Sequence, residues 1–282
     1  MLAQPLPDLD AWSRYLTSQP IPVLSATAEE LELLAEVEAR HGTVDAHLIN
    51  EAIGDDPLMT LRVFSHAMRH RTDRQVTDVD TVTAAVVLMG IGPFFQAFLP
   101  LPALDEHLQA CPHAITEIHR RIRRSWCAAR LVTEFALLHA DSHASALQKA
   151  ALLHGHAEIL LWCHAPALAQ TLLERRAQDP QREAASLEEE VLNVALVPLE
   201  HRLARDWGLP STLLRLTDPD DQRSQVLLQP QRRLLMLAVT LAERLDLEGP
   251  TAAPTLDELE ELSMLLTLST SSVQRLIDNT LA

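Results

Sequence analysis

The chain has 282 residues, 47% of them hydrophobic and only 4% aromatic, so it is long enough to bury a sizeable core and too apolar to stay disordered. Its formal net charge of −16 repels nucleic-acid phosphates and argues against broad duplex binding. The three cysteines, Cys111, Cys127 and Cys163, form no CxxC pair, which argues against both a disulfide framework and a cysteine zinc site.

Leu and Ala dominate the apolar set and Gly occurs only 7 times, a balance that favours helices throughout. In chain order, residues 1–26 are Pro-rich (Pro5, Pro7, Pro20, Pro22) and read as an extended lead-in holding a short helix near residues 10–17. This start lacks the basic and apolar regions of a signal peptide, and no apolar run approaches the ~20 residues of a membrane span. The expectation is a soluble, cytoplasmic protein. "SATAEELELLAEVEAR" begins a helix that Ser25 or Thr27 can cap, with acids expected in its first turn to match the helix dipole. "VDAHLINEAIGDDPLMTLRVFSHAMRH" reads as two helices. The first stops at Gly54, and the second starts with Asp56 as N-cap and Pro57 at N1, where the missing N–H costs nothing. Leu58, Leu61, Phe64 and Met68 then share one face. "DVDTVTAAVVLMGIGPFFQAFL" repeats the pattern through Val82, Val86 and Met89 before Gly90, Gly92 and Pro93 interrupt it.

Residues 99–113 form a Pro-punctuated connector, the expected boundary between lobes. Helices are predicted over roughly 115–139, 144–163, 166–177, 187–206 and 210–217. Polar loops follow at 218–224 and 248–255, flanking helices at 228–246 and 256–280. The basic run "HRRIRR" at 119–124 reads as a solvated helix face. There is no strand-like alternation of useful length, no fixed-period repeat and no Gly-rich phosphate loop.

Several of these segments, in this order, resemble the HDOD family, a bacterial all-helical domain related to HD-type metal-dependent phosphohydrolases. "AIGDDPLMTLRVF" is similar to that family's helix–Asp-Pro–helix element, and "VDTVTAAVVLMG" to the helix after it. "SWCAARLV" stands where the family has a Trp-led helix, "ALLHGHAEILL" where it has a Leu-Leu-His-Asp-type element, and "EHRLARDWGLP" where a helix ends in Trp-Gly-Leu-Pro. The match runs over about 200 residues. "LLMLAVTLAERLDLEG" and "LSMLLTLSTSSVQRLIDN" resemble the helical extension that often follows. The resemblance implies an all-α, two-lobed helical bundle. An HDOD-like domain would span 18–218, with an N-terminal lobe over about 18–103 and an HD-like lobe over about 114–218. A C-terminal helical extension would cover 226–282.

The resemblance also locates a metal site. A catalytic HD centre holds two metals on imidazoles and a bridging carboxylate, and the metals activate a water. Here the His-Asp pair reads His154-Gly155, and the imidazole positions upstream and downstream read Ala128 and Leu196. Three of these four positions carry no ligand atom. His156 lies two residues from His154, about 200° away on a continuous helix, so the two cannot serve one metal unless the helix breaks. His66/His70 and His139/His143 have i, i+4 spacing but no third ligand nearby, and read as exposed or capping residues. Each cysteine reads as a buried thiol, and Trp12, Trp126, Trp162 and Trp207 as core anchors. Trp207, just before Gly208-Leu209-Pro210, is expected to be buried.

The resulting expectation is a non-catalytic signalling or regulatory protein that binds a protein partner and uses no metal and no cofactor. The vestigial positions are Ala128, His154, Gly155 and Leu196. The side chains expected to line or fill the former pocket are Trp126, His156, Trp162 and His201. The alternative is a metal-dependent phosphohydrolase or phosphodiesterase with rearranged ligands.

Overall fold

Caps supplied by the sequence decide where the first helices start. Asp8 accepts the Ala11 N–H at 2.8 Å and opens α1 (Leu9–Ser18). Asp45 accepts from His47 and Leu48 and opens α3 (Ala46–Ile53), which ends at Gly54. Asp56 does more. One carboxylate oxygen accepts from Leu58 and Met59, the first turn of α4 (Pro57–Arg69), and the other accepts the Leu24 N–H at 2.9 Å. It thereby pins the entry to α2 (Ser25–His41). Burial pushes the Asp56 carboxyl pKa up, against the hydrogen bonds from Leu24, Met59, Thr27 and Leu58 that pull it down.

The expected caps of α2 do other work. Its N-cap is Leu24, with no side-chain bond; the Thr27 hydroxyl is drawn to Asp56 and the Ser25 hydroxyl to Asp105. No acid stands in its first turn.

This computed structural model describes residues 1–54, 56–69, 81–138, 141, 143–218, 228–249 and 252–281. Among them the fold is all-α, with a lone parallel bridge between Val23 and Ala103. No helix among them is long and apolar enough to cross a membrane. After α4 come α5 (Val82–Met89), α6 (Ile91–Phe98), the single turn α7 (Leu104–His107) and the long α8 (Pro112–Leu138). Gly92 and Pro93 lie within the first turn of α6, where Pro is tolerated, so the break between helices falls at Gly90 alone.

Three helices expected to be continuous are each split. The 144–163 helix is α9 (Ala144–Leu153) and α10 (His156–His164), parted at Gly155. The 187–206 helix is α12 (Ala184–Leu192) and α13 (Leu196–Asp206), with α11 (Pro166–Gln178) before them. The 256–280 helix is α16 (Leu256–Leu266) and α17 (Thr270–Leu281). At each split one residue is left-handed: Gly155 at φ 79°, Asn193 at φ 62° and Thr267 at φ 52°. The remaining helices are α14 (Ser211–Thr217) and α15 (Gln229–Glu248).

The chain divides into two compact units. The first joins residues 1–119 to 155–210. In it α1 lies on α13. The Trp12 indole N–H donates to the Leu192 carbonyl at 2.7 Å, the Ser13 hydroxyl donates to Asp206 at 2.5 Å, and Arg202 reaches both Asp10 and Asp206. Leu58, Leu61, Phe64, Val82 and Val86 are buried as their spacing predicts, while Met68 is half-buried.

The end of α13 is a two-bond stop. Gly208, at φ 67°, donates to the Arg205 carbonyl, and Leu209 donates to the Ala204 carbonyl, each at 2.9 Å. That is a Schellman closure, with buried Leu209 and Ala204 as its apolar pair. The positive φ favours glycine there, and a Cβ at Gly208 would also press on the Met68 Cβ at 3.3 Å.

The second unit joins residues 120–154 to 211–282. Its core includes Leu131, Val132, Phe135, Leu147, Leu235, Ala238, Leu262, Val273 and Ile277. The basic run is not a solvated face. Arg120 binds Asp246 at 2.8 Å, Arg124 stands 3.9 Å from Glu243, Arg121 is buried, and only Arg123 is exposed. Opposite charges on α15 recruit the run into helix packing. Thr255 and Glu258 form a capping box at α16, and the Glu258 carboxylate also takes both terminal nitrogens of Arg244.

Candidate functional site

The HG pair is a junction between helices. α9 closes with the His154 N–H on the Ala151 carbonyl, and the Gly155 carbonyl accepts from Glu158 and Ile159 to start α10. The left-handed turn at Gly155 removes the premise that His154 and His156 lie on one continuous helix. The two also belong to different units: His154 to the second, Gly155 and His156 to the first.

In the second unit, Ala128 is buried on α8 and Trp126 is half-buried beside it in sequence. The Ser125 hydroxyl donates to the Arg121 carbonyl at 3.1 Å and lies 3.4 Å from the His154 carbonyl. His154 itself is half-buried.

In the first unit, His156 is buried, its Nδ1 3.9 Å from the Glu200 carboxylate and its ring centroid 6.0 Å from that of Trp207. Trp162 is fully buried, with the His113 ring edge-on at 6.2 Å. His201 is half-buried on α13. Leu196 is buried at the first position of α13, and its N–H donates to the Glu188 carboxylate at 2.7 Å. Of the side chains at 128, 155 and 196, two are apolar and buried and one is absent, so none offers a ligand atom. Among the described residues no group of three or more His, Cys, Asp or Glu stands placed to hold a metal ion. The residues present do not fit a dinuclear metal centre.

A different polar cluster was not legible in the sequence. Arg176 of α11 donates to Glu158 of α10 at 2.7 Å and to Glu188 of α12 at 2.6 Å. The second Glu188 oxygen takes the Leu196 N–H, so one carboxylate caps α13, whose own N-cap, Ala195, makes no side-chain bond. Two carboxylates face one guanidinium, and the partial positive charge of the α13 N-terminus helps balance the second. Burial works against the Arg176 charge, but Glu158 and Glu188 more than offset it and its pKa is raised. Charges at helical spacing read as solvated, and only the fold brings these three together.

His164 ends α10 buried, with the His107 ring at 5.2 Å and its carbonyl bound by the Leu2 N–H at 2.8 Å. Burial, and then the neighbouring His107, lower its pKa from 6.5 to about 4. Between those values the unfolded chain takes up a proton that folded His164 refuses. Stability is therefore whole above about 6.5 and is lost as pH falls towards 4. A loss of about 2 kcal/mol is expected between pH 7 and pH 5. Urea unfolding at the two pH values measures it, and His164→Gln should flatten the dependence. An unchanged dependence in that variant would place the titrating group elsewhere.

The other candidates fall away from any centre. The His66 ring stacks on Phe98 at 5.0 Å, and His143 is the N-cap residue of α9, with its N–H and ring Nδ1 both on Asp141. His70 and His139 lie outside the described residues. Cys163 is buried, whereas Cys111 and Cys127 are half-buried. Burial pushes the Cys163 and Cys127 thiols up, away from nucleophilic use.

A chain made of short helices closed by caps and left-handed breaks, with buried Ala128 and Leu196 in two different units, defines a protein of the all-α class. Within that class it belongs to the HDOD family: the HDOD domain matches residues 21–222. No curated protein matches the chain. Among solved structures, it is similar to the MmoQ response regulator of Methylococcus capsulatus str. Bath, at 20% identity and a TM-score of 0.68 over 92% of this chain and 98% of that one. It is also similar to a virulence factor of Campylobacter jejuni subsp. jejuni, at 15% identity and a TM-score of 0.59 over 98% of this chain and 95% of that one. At such identities the likeness is one of fold.

Proposed function

We propose that the protein is a non-catalytic regulatory component that acts through protein–protein contacts in the cytoplasm, with the metal site of its HD-type relatives lost. The side chains at the vestigial positions carry this reading. Ala128 and Leu196 are buried, the Leu196 N–H is committed to Glu188, and Gly155 is a left-handed helix junction. His154 alone keeps a ligand atom, and one imidazole does not hold two metals. The name response regulator, given to the Methylococcus protein of similar fold, supports a signalling context.

Metal analysis of purified, tag-free protein tests the reading. Iron, manganese and zinc should each stay well below one equivalent. Hydrolysis of phosphomonoesters and cyclic dinucleotides should not rise when these ions are added. Stoichiometric metal, with activity abolished by His154→Ala, would overturn it and establish a phosphohydrolase with rearranged ligands.

A further inference from the structure

Residues 1–7 run as an irregular strap ahead of α1, lightly tied to the first unit. The Leu2 N–H donates to the His164 carbonyl at 2.8 Å, and the Asn193 side-chain amide donates to the Leu6 carbonyl at 3.1 Å. A looser contact sets the Cys111 thiol 3.9 Å from the Met1 sulfur. Leu2 and Leu6 are half-buried, while Met1, Ala3, Gln4, Pro5 and Pro7 are exposed.

Under the start of this strap lies an imidazole with one nitrogen unanswered. His164 is 3% exposed; its ring bonds to the Pro20 carbonyl, and its Nε2 has no hydrogen-bond partner. Neutral His164 tolerates this, with the proton on Nδ1 and a bare lone pair on Nε2. A second proton would go to Nε2, where it meets no acceptor, and a buried charged donor without a partner is costly. The neighbours add to the cost. The His107 ring of α7 stands 5.2 Å away, and the Met1 amino group of the strap also acts against a charge there. Tyr15 of α1, with its hydroxyl 3.5 Å from the His164 carbonyl, and Cys163 both have their pKa raised by burial, so neither supplies a compensating negative charge.

We propose that residues 1–7 are an acid-released strap: protonation of His164 lifts them off the first unit and opens Nε2 to water. The strap is the wall that yields, because the other walls are held elsewhere. The segment after Pro20 is fixed where the Val23 N–H donates to the Pro102 carbonyl at 2.9 Å, and the turn α7 where the Leu104 N–H donates to the Val23 carbonyl at 2.8 Å. Helix α1 is fastened to α12 and α13 through Trp12, Ser13 and Asp10. With the strap down, burial and His107 hold the His164 pKa at about 4; with it lifted, the ring returns towards 6.5. Lifting is therefore favoured as pH falls through 6.5 and gains nothing further below about 4. This device does not depend on the loss of the metal site, so either reading can fail without the other.

Amide hydrogen exchange of the full chain, followed by NMR and corrected for intrinsic rates, tests it. Between pH 7 and pH 5 the protection of the Leu2 amide should fall about 20-fold, the ratio set by pKa values of about 4 and 6.5. The Ala165 amide, bonded to the Leu161 carbonyl at the end of α10, should keep its protection. In His164→Gln the Leu2 protection should be the same at both pH values. His107→Gln, which keeps a donor for the Cys163 carbonyl, should make the fall smaller by removing the facing charge, and it tests the device even if His164→Gln does not fold. A Leu2 change below about threefold would overturn the proposal. So would an undiminished fall in these variants, or a parallel fall at Ala165, which would mean that acid opens the whole unit.

Discussion

Trp207→Ala should lower the unfolding free energy by about 3–5 kcal/mol, the range for removing a large aromatic from a core. The side chain is 3% exposed at the C-cap of α13, directly before the two-bond closure by Gly208 and Leu209. Its ring faces His156, the first residue of α10, so its loss opens a void where α10 and α13 pack. Trp207→Phe, which keeps an aromatic ring, should lose markedly less. Denaturant unfolding of the two variants measures the difference. A loss below about 1 kcal/mol for Trp207→Ala would mean that the ring supports no packing.

Arg176→Met should cost about 3–5 kcal/mol for a different reason. It leaves Glu158 and Glu188, both buried, facing each other without a cation. The void is small, because Met fills much of the volume of the arginine stem. The cost is the uncompensated charge. In this variant one carboxylate should hold its proton to higher pH, so acidification relieves the repulsion and the gap to the parent narrows between pH 7 and pH 5. Adding Glu158→Gln should recover part of the loss, since the remaining Glu188 still accepts the Leu196 N–H at the start of α13. Unfolding curves at both pH values decide it. A deficit of the same size at both, with no recovery in the double variant, would assign the cost to packing instead of charge.

The readable parts of the fold are those written in local chemistry. Asp56-Pro57 starts α4, and Gly208-Leu209-Pro210 ends α13, because capping and left-handed stops depend on a few adjacent residues. The splits at Asn193 and Thr267 had weaker local marks. Asn tolerates the left-handed region and Pro198 interrupts a helix interior, while Ser269 accepts the Ser272 N–H at the start of α17; an apolar periodicity that runs on across both breaks hides these signals. Charge misled too. The basic run at 119–124 reads as a solvated face, but Arg120 and Arg124 meet acids on α15 and Arg121 is buried, and the Arg176 cluster forms only where three helices come together. At the vestigial site the residue types were legible, because an absent ligand atom is visible in the sequence. The helix junction at Gly155 was not, since glycine within an apolar helical run is compatible with continuation.

The pairing of α1 with α13 also bears on how the chain can fold during synthesis. Trp12, Ser13 and Asp10 find partners at Leu192, Asp206 and Arg202, contacts separated by 180 to 193 residues. At ribosomal speeds of about 5–20 residues per second, α1 emerges roughly 10–40 seconds before the segment that covers it. Throughout that interval Trp12 and Leu16, both wholly buried in the finished protein, remain open to water and to other nascent chains. Closing so long a loop also comes late on entropic grounds. A helix made early is thus secured only when α13, some 180 residues later, has been made.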